Sequence, residues 1–249
     1  MVEKYGVGTR HITNEGCWVG IVEKLEGRKR KVKFENGCEV VTHTGIIIQG
    51  KIKNPYHPSV LGVGCFGVGD YRTKINGRQT QEYGAWTNML QRCYDNKYQE
   101  KFPTYKNVTI CEEWLNFQNF ARWHEENHPK MDSVQFHIDK DLLQENVENK
   151  VYSPNTCVFI PQSVNAFLAN KHSNNTSGYT GVSWFKRCKK WETRIKLFGE
   201  EKKKHLGYFT TYEQASEAYE QARTIESEKV KSYLRSLNYL SEEVIQLVK

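Results

Sequence analysis

His137, Asp139 and Asp141, in the run VQFHIDKDLL, and then Asn155 and Asn165 are the residues whose types could do chemistry. An imidazole titrates near neutrality and can take a proton from water. Carboxylate and amide oxygens are hard donors that suit magnesium-type cations. Alternate residues of an extended chain face the same way, so Asp139 and Asp141 would project together. A plainer assignment stands beside this one, with His137 an ordinary half-buried strand residue and the aspartates a solvated strand end. A second kind of chemistry sits further on. Residues 178–209, GYTGVSWFKRCKKWETRIKLFGEEKKKHLGYF, alternate aromatic or aliphatic residues with Lys and Arg, as a sheet between a core and a polyanion would. Residues 171–208 hold ten Lys/Arg against three Asp/Glu, a net +7 that equals the excess of the whole chain. The basicity is therefore local.

The elements that must position these groups are readable from periodicity. VQFHID is a short strand, 144–150 a loop, VYSPNTCVFI a returning strand, and PQSVNAFLAN a helix with Pro161 in its first turn. Upstream, Trp86, Met89, Leu90 and Cys93 fall at i, i+3, i+4, i+7, one face of a helix. Trp114, Phe117, Phe120 and Ala121 repeat the pattern, and these aromatics read as core. KFPTYKNVTIC reads as a loop and a strand. Downstream, Glu192, Arg194 and Lys196 share one strand face while Trp191, Thr193 and Ile195 share the other. Thr210 or Thr211 can cap the next helix, since Glu213 and Gln214 stand three residues on. Ala215, Ala218, Tyr219 and Ala222 form a small-residue stripe for close packing on the sheet. Residues 224–249 read as helix, break and helix, with Ser241 capping the last.

Residues 1–53 read as short strands with a turn at Glu26-Gly27 and a two-residue hairpin signal at Asn36-Gly37. Val32, Phe34, Val40 and Val41 supply its apolar positions, and a small curled β barrel is the expected form. Arg28-Lys29-Arg30-Lys31 could touch phosphate or, equally, guard a sheet edge as a solvated strand. Residues 54–70, with two Pro and four Gly, read as a linker that can pack on its neighbours. At 249 residues the chain can form one large domain or two to three small ones. No apolar run is long enough to span a bilayer, so no membrane partner is expected. MVEKYGVGTRHITNEG has no apolar signal core, which leads to the expectation of a cytoplasmic protein. Seven scattered Cys with no CxxC pair argue against a secreted disulfide framework. A structural zinc on Cys93, Cys111 and Cys157 is outweighed by buried free thiols.

The order strand, loop, strand, helix, with His137 on the first strand and Asn165 on the helix, resembles the ββα-metal fold of HNH endonucleases. His137-Ile138-Asp139 matches that family's opening and Asn165 its closing helical Asn. The resemblance implies His137 as general base, Asn155 as the central Asn, and Asn165 as both a site residue and a metal ligand. It implies a divalent metal, Mg2+ or Mn2+, acting on a phosphodiester. Two departures stand. The family's spacing reaches Thr156, so either Asn155 serves through a one-residue shift or the site is degenerate. Phe136 stands where a metal-ligating Asp or His is usual, and Asp139 and Asp141 could substitute. Trp86, Met89-Leu90, Arg92-Cys93-Tyr94, Cys111, Trp114, Phe117, Asp139-Lys140-Asp141 and Tyr152-Ser153-Pro154-Asn155-Thr156-Cys157 are similar to phage proteins of the same class.

Gly181-Val182, Trp191, Ile195, Leu206-Gly207-Tyr208-Phe209, Ala215, Ala218-Tyr219 and Ala222 resemble the plant ethylene-response-factor (Apetala-two) DNA-binding domain. That resemblance implies a three-stranded antiparallel sheet entering the major groove of double-stranded DNA, braced by one helix. The DNA contacts it implies are Thr180, Ser183, Phe185, Lys186, Arg187, Arg194, Lys196, Lys203 and His205. Thr180 and Ser183 stand where that family uses Arg, so shape is expected to carry part of the readout. Trp184 and Trp191 are assigned to the core, and Lys202-Lys203-Lys204 to phosphate.

The expected fold class is α+β: a barrel over 1–53, a linker over 54–70, an HNH-like domain over 71–170, and a sheet domain with C-terminal helices over 176–249. The function this implies is a metal-dependent DNA endonuclease of the HNH, homing type, phage-encoded and acting in host cytoplasm. The alternative is a non-catalytic DNA-binding protein or regulator with a degenerate HNH fold. An RNA binder is a third class, disfavoured because the sheet shows no evident exposed aromatic set.

Overall fold

The computed structural model describes residues 3–169 and 178–249. The first seven residues of the basic window, 171–177, and Asn170 of the expected helix lie outside them. The chain is α+β and divides into two compact units, residues 1–126 and 127–249, so the boundary falls inside the 71–170 segment.

The first unit opens with β1 (Arg10–Ile12), β2 (Trp18–Lys24), β3 (Lys29–Phe34) and β4 (Glu39–His43), an antiparallel meander in that order. No β1–β4 pairing closes it among the described residues, so it is an open sheet where a barrel was expected. A three-residue β1 and the entry of α1 (Thr44–Ile48) straight after β4 leave little strand to pair. Val19, Ile21, Val32, Phe34, Ile47 and Ile52 form its core, while Val41 is exposed. The β3 strand is central, so its basic run does not guard an edge. Arg30 is buried, donating to the Tyr5 and Lys29 carbonyls. A hairpin of β5 (Lys74–Ile75) and β6 (Arg78–Gln79) leads to α2 (Gln81–Tyr94) and α3 (Asn96–Lys101), then β7 (Thr109–Ile110) and α4 (Phe117–Asn127). The helical spacing is realised: Trp86, Met89, Leu90, Cys93, Trp114, Phe117, Phe120 and Ala121 are all buried. The 54–70 segment packs closely, since a Cβ on Gly64 would meet Leu90 and Trp86 at 2.7 and 2.9 Å.

The second unit holds β8 (Phe136–Asp139), β9 (Val151–Tyr152), β10 (Val158–Pro161) and α5 (Gln162–Leu168), then β11 (Val182–Phe185), β12 (Lys190–Lys196), β13 (Lys203–Phe209), α6 (Tyr212–Leu237) and α7 (Glu242–Gln246). The strands β11, β12 and β13 form an antiparallel sheet in that order. The returning strand is two short strands, interrupted at 153–157, and Pro161 ends β10 as the residue before α5 rather than inside its first turn. Helix α6 is one element of 26 residues, and the helix, break and helix expected over 224–249 are its C-terminal half, the turn at 238–241 and α7 capped by Ser241. Thr211 caps it by accepting from Gln214 N–H, and Asn238 ends it in the left-handed region at φ 50°.

One helix serves two layers. The N-terminal half of α6 packs on the sheet, where Thr193 donates to the Ala215 carbonyl at 3.0 Å. Its C-terminal half places Val230 and Leu234 in a core with Leu142, Ile160, Val164, Phe167, Ile245 and Val248. Arg223 lies 3.5 Å over the Phe167 ring and donates to the Phe167 carbonyl at 2.9 Å.

Candidate functional site

The His137 hairpin is antiparallel, with Ile160 opposite His137 and Val158 opposite Asp139. His137 therefore shares its face with the fully buried Ile160 and is half-buried beside it, while Phe136 is buried on the other face. Asn165 sits half-buried on α5, and Asn155 is exposed in the turn before β10. The strand ends at Asp139, and the chain turns there instead of staying extended. Asp139 Oδ1 accepts from the N–H of Asp141 at 3.0 Å and of Leu142 at 2.7 Å, so it caps the short 3-10 turn at Leu142–Gln144. Burial pushes its carboxyl above the ordinary range, against those two N–H bonds. Asp141 points elsewhere. Its Oδ1 is paired with Lys140 at 2.7 Å and with Lys150. Burial alone would raise its carboxyl, and the two lysines reverse that and hold it below the ordinary range.

Two aspartates expected to share one direction thus have separate partners. Among the described residues no group of three or more His, Cys, Asp and Glu is placed to hold a metal ion. As arranged, Asp139 and Asp141 do not fit a divalent cation, because one is spent on backbone and the other is neutralised. His137 and Asn165 remain as nitrogen and oxygen donors. The cysteines are free thiols, and burial pushes Cys157 up to about 12.

The basic sheet has a more complete geometry. Val182 pairs with Thr193, Trp184 with Trp191, and Trp191 with Phe209 on the helix side. The outward side carries Ser183 and Phe185, then Arg194 and Lys196, then Lys203 and His205. Ser183 lies opposite Glu192, Arg194 opposite His205, and Lys196 opposite Lys203. Six of the nine expected contacts therefore share one face. Thr180 precedes β11 half-buried, and Lys186 and Arg187 are exposed in the β11–β12 turn. Trp191 is half-buried against Tyr212, but Trp184 is 47 % exposed, packed edge-on to Trp191 at the rim and not in the core.

Sequence periodicity missed Tyr208. Strict alternation from His205 would put Tyr208 on the opposite face, but a bulge between Thr193 and Arg194 lets two β13 residues oppose one. Tyr208 is consequently opposite Glu192, with its ring 5.3 Å from Phe185 and 4.6 Å from His205. This is an aromatic row on the basic face, where none was expected. The glycine at 207, interrupting an otherwise regular strand, was the available signal.

Compared with family models, curated proteins and solved structures, the chain matches none.

Proposed function

We propose that this chain is a DNA endonuclease of the HNH, homing type. It grips duplex DNA through the β11–β13 face and hydrolyses a phosphodiester at the His137 hairpin. The observation that carries the proposal is the register that gathers Ser183, Phe185, Arg194, Lys196, Lys203 and His205 on the side away from α6. A β-sheet that lays this face in the major groove can carry Arg to guanine O6 and N7, while lysines at its rim meet phosphate. In the reaction, the His137 imidazole takes the proton of the attacking water. Asn165, on the helix that follows β10, orients polar groups beside it, and Asn155 lies in the turn between. A divalent cation would supply charge stabilisation of the leaving oxygen. Since the aspartates do not fit it as arranged, no step is routed through it.

The second reading, a non-catalytic DNA-binding protein or regulator, is favoured by one observation: Asp139 and Asp141 are both engaged within the loop they occupy. Cleavage of supercoiled plasmid and phage DNA with Mg2+ or Mn2+ separates the two. The endonuclease reading expects cleavage by wild type and its loss in His137→Ala with DNA binding retained. Intact DNA under every metal, with a gel shift still present, selects the second reading. For the interface, Arg194→Ala is expected to weaken duplex binding and flatten its salt dependence. An unchanged affinity and slope would remove the sheet from the interface.

A further inference from the structure

We infer that Glu192 is a positioning residue that makes the centre of the basic face a base reader instead of a phosphate grip. The inference rests on the duplex-binding proposal above. Glu192 stands mid-strand on β12, the central strand, on the side that carries Arg194, Lys196 and Lys203. Its side chain is only 8 % exposed, unlike a solvated carboxylate. Its Oε1 accepts from Arg194 Nη2 at 2.7 Å and lies 3.5 Å from His205 Nε2. Tyr208 is its cross-strand neighbour, and the Phe185 and His205 rings pack against Tyr208.

A carboxylate enclosed this way is retained only if it is paired, and the pairing has two consequences. First, one nitrogen of the Arg194 guanidinium is held, so its remaining donors are presented in a fixed plane. A fork ordered in advance loses less freedom when it meets a base edge. Second, a negative charge beneath the middle of the face opposes a full phosphate charge more than it opposes the partial charges of guanine O6 and N7. Lys186, Arg187, Lys190 and Lys203 lie towards the rim, where phosphates are expected. The acidic residue in a basic patch therefore sorts bases to the centre and backbone to the edge.

The test uses the full chain as wild type, Glu192→Gln and Arg194→Lys. Anisotropy with a random-sequence duplex across salt is paired with selection from a randomised duplex pool and sequencing. Glu192→Gln is expected to bind random duplex roughly twofold to fivefold tighter, as for loss of one partly screened charge, and to lose base preference at one or two adjacent positions. Arg194→Lys is expected to lose preference at the same positions, because a point charge cannot replace the fork. Enrichment of the wild-type sequence by either folded variant, with unchanged affinity for random duplex in Glu192→Gln, overturns the inference. Should Glu192→Gln fail to fold, Arg194→Lys alone decides. Wild type that binds duplex but enriches no sequence overturns the inference and leaves the duplex-binding proposal standing, whereas wild type that binds no duplex overturns both.

Discussion

Gly181→Ala should cost the second unit roughly 2–5 kcal/mol, and the structure says where that figure comes from. Gly181 sits at φ +72°, where an L side chain adds about 1–2 kcal/mol of strain. A Cβ built there would lie 2.3 Å from the Tyr219 ring and 2.7 Å from the Arg194 carbonyl. Neither neighbour can retreat cheaply. The Tyr219 ring is buried between α6 and the sheet, and the Gly181 carbonyl accepts the Arg194 N–H at 2.9 Å. Overpacking of this kind adds about 1–3 kcal/mol.

Gly199 provides the internal control. It has nearly the same conformation, φ +80°, with nothing within 4 Å of the added Cβ. Gly199→Ala should therefore cost only the strain, about 1–2 kcal/mol. Urea unfolding followed by far-UV circular dichroism compares the two, and a Tyr219→Ala background completes a double-mutant cycle. In that background the excess cost of Gly181→Ala over Gly199→Ala should shrink to the part set by the Arg194 carbonyl. If Gly181→Ala costs no more than Gly199→Ala in the wild-type background, helix α6 does not approach the sheet as closely as described, and the packing argument fails.

Four further outcomes are expected. Leu234→Ala, fully buried in the α5–α6–α7 core, should cost about 2–5 kcal/mol and lower hydrogen-exchange protection in β12 as well as β10; protection lost in β10 alone would mean that α6 does not couple them. Asp139→Ala should cost about 1–3 kcal/mol by orphaning two N–H groups, while Asp139→Asn, which keeps an acceptor, should stay within about 1 kcal/mol by the same urea assay. Arg235 holds the exposed Glu242 carboxyl down at about 2, so the stability this clasp contributes is present above the ordinary value of 4.5 and is lost as pH falls towards 2; an NMR titration of Glu242 should return to the ordinary range in Arg235→Ala. Inserting ten Gly/Ser residues within 171–177 should leave a single unfolding transition and lower stability by no more than about 1 kcal/mol, and two separated transitions would show that the connection, not α6, holds the unit together.

How far the sequence reached depended on whether local pattern or tertiary demand decided each element. Trp86, Met89, Leu90 and Cys93 were legible because a helix has one period and one buried face. The β11–β13 sheet was legible through alternation and glycine punctuation. The continuity of α6 was not, because the stripe of Ala215 and Tyr219 meets Glu226 and Ser227 before resuming at Val230 and Leu234. Glu226 looks like a helix surface residue, yet it is buried, accepting the Phe198 N–H at 2.8 Å and paired with Lys229. Only a partner 28 residues away in sequence explains it. Asp139 and Asp141 failed for the converse reason. Two residues apart means one direction only while the chain stays extended, and Asp139 itself makes the turn that ends the strand.

The shared helix changes how the two proposed activities would be coupled. A basic module joined by a flexible connection raises the local concentration of its neighbour over DNA without fixing where on the DNA it acts. Here the sheet and the His137 hairpin contribute to opposite halves of α6, and Phe198, next to the end of β12, packs against Phe167 of α5 at 6.3 Å and Tyr233 of α6 at 5.3 Å. Arg223 closes the same junction from the helix. With that packing, the offset between the bases under Arg194 and any bond reached by His137 is set by side-chain contacts and not by chain length. Cleavage, if it occurs, should then fall at a constant distance from the sequence the sheet selects, and substitutions at Phe167 or Phe198 should scatter that distance before they abolish binding. A cut position that wanders in the wild type while the selected sequence stays constant would contradict this coupling.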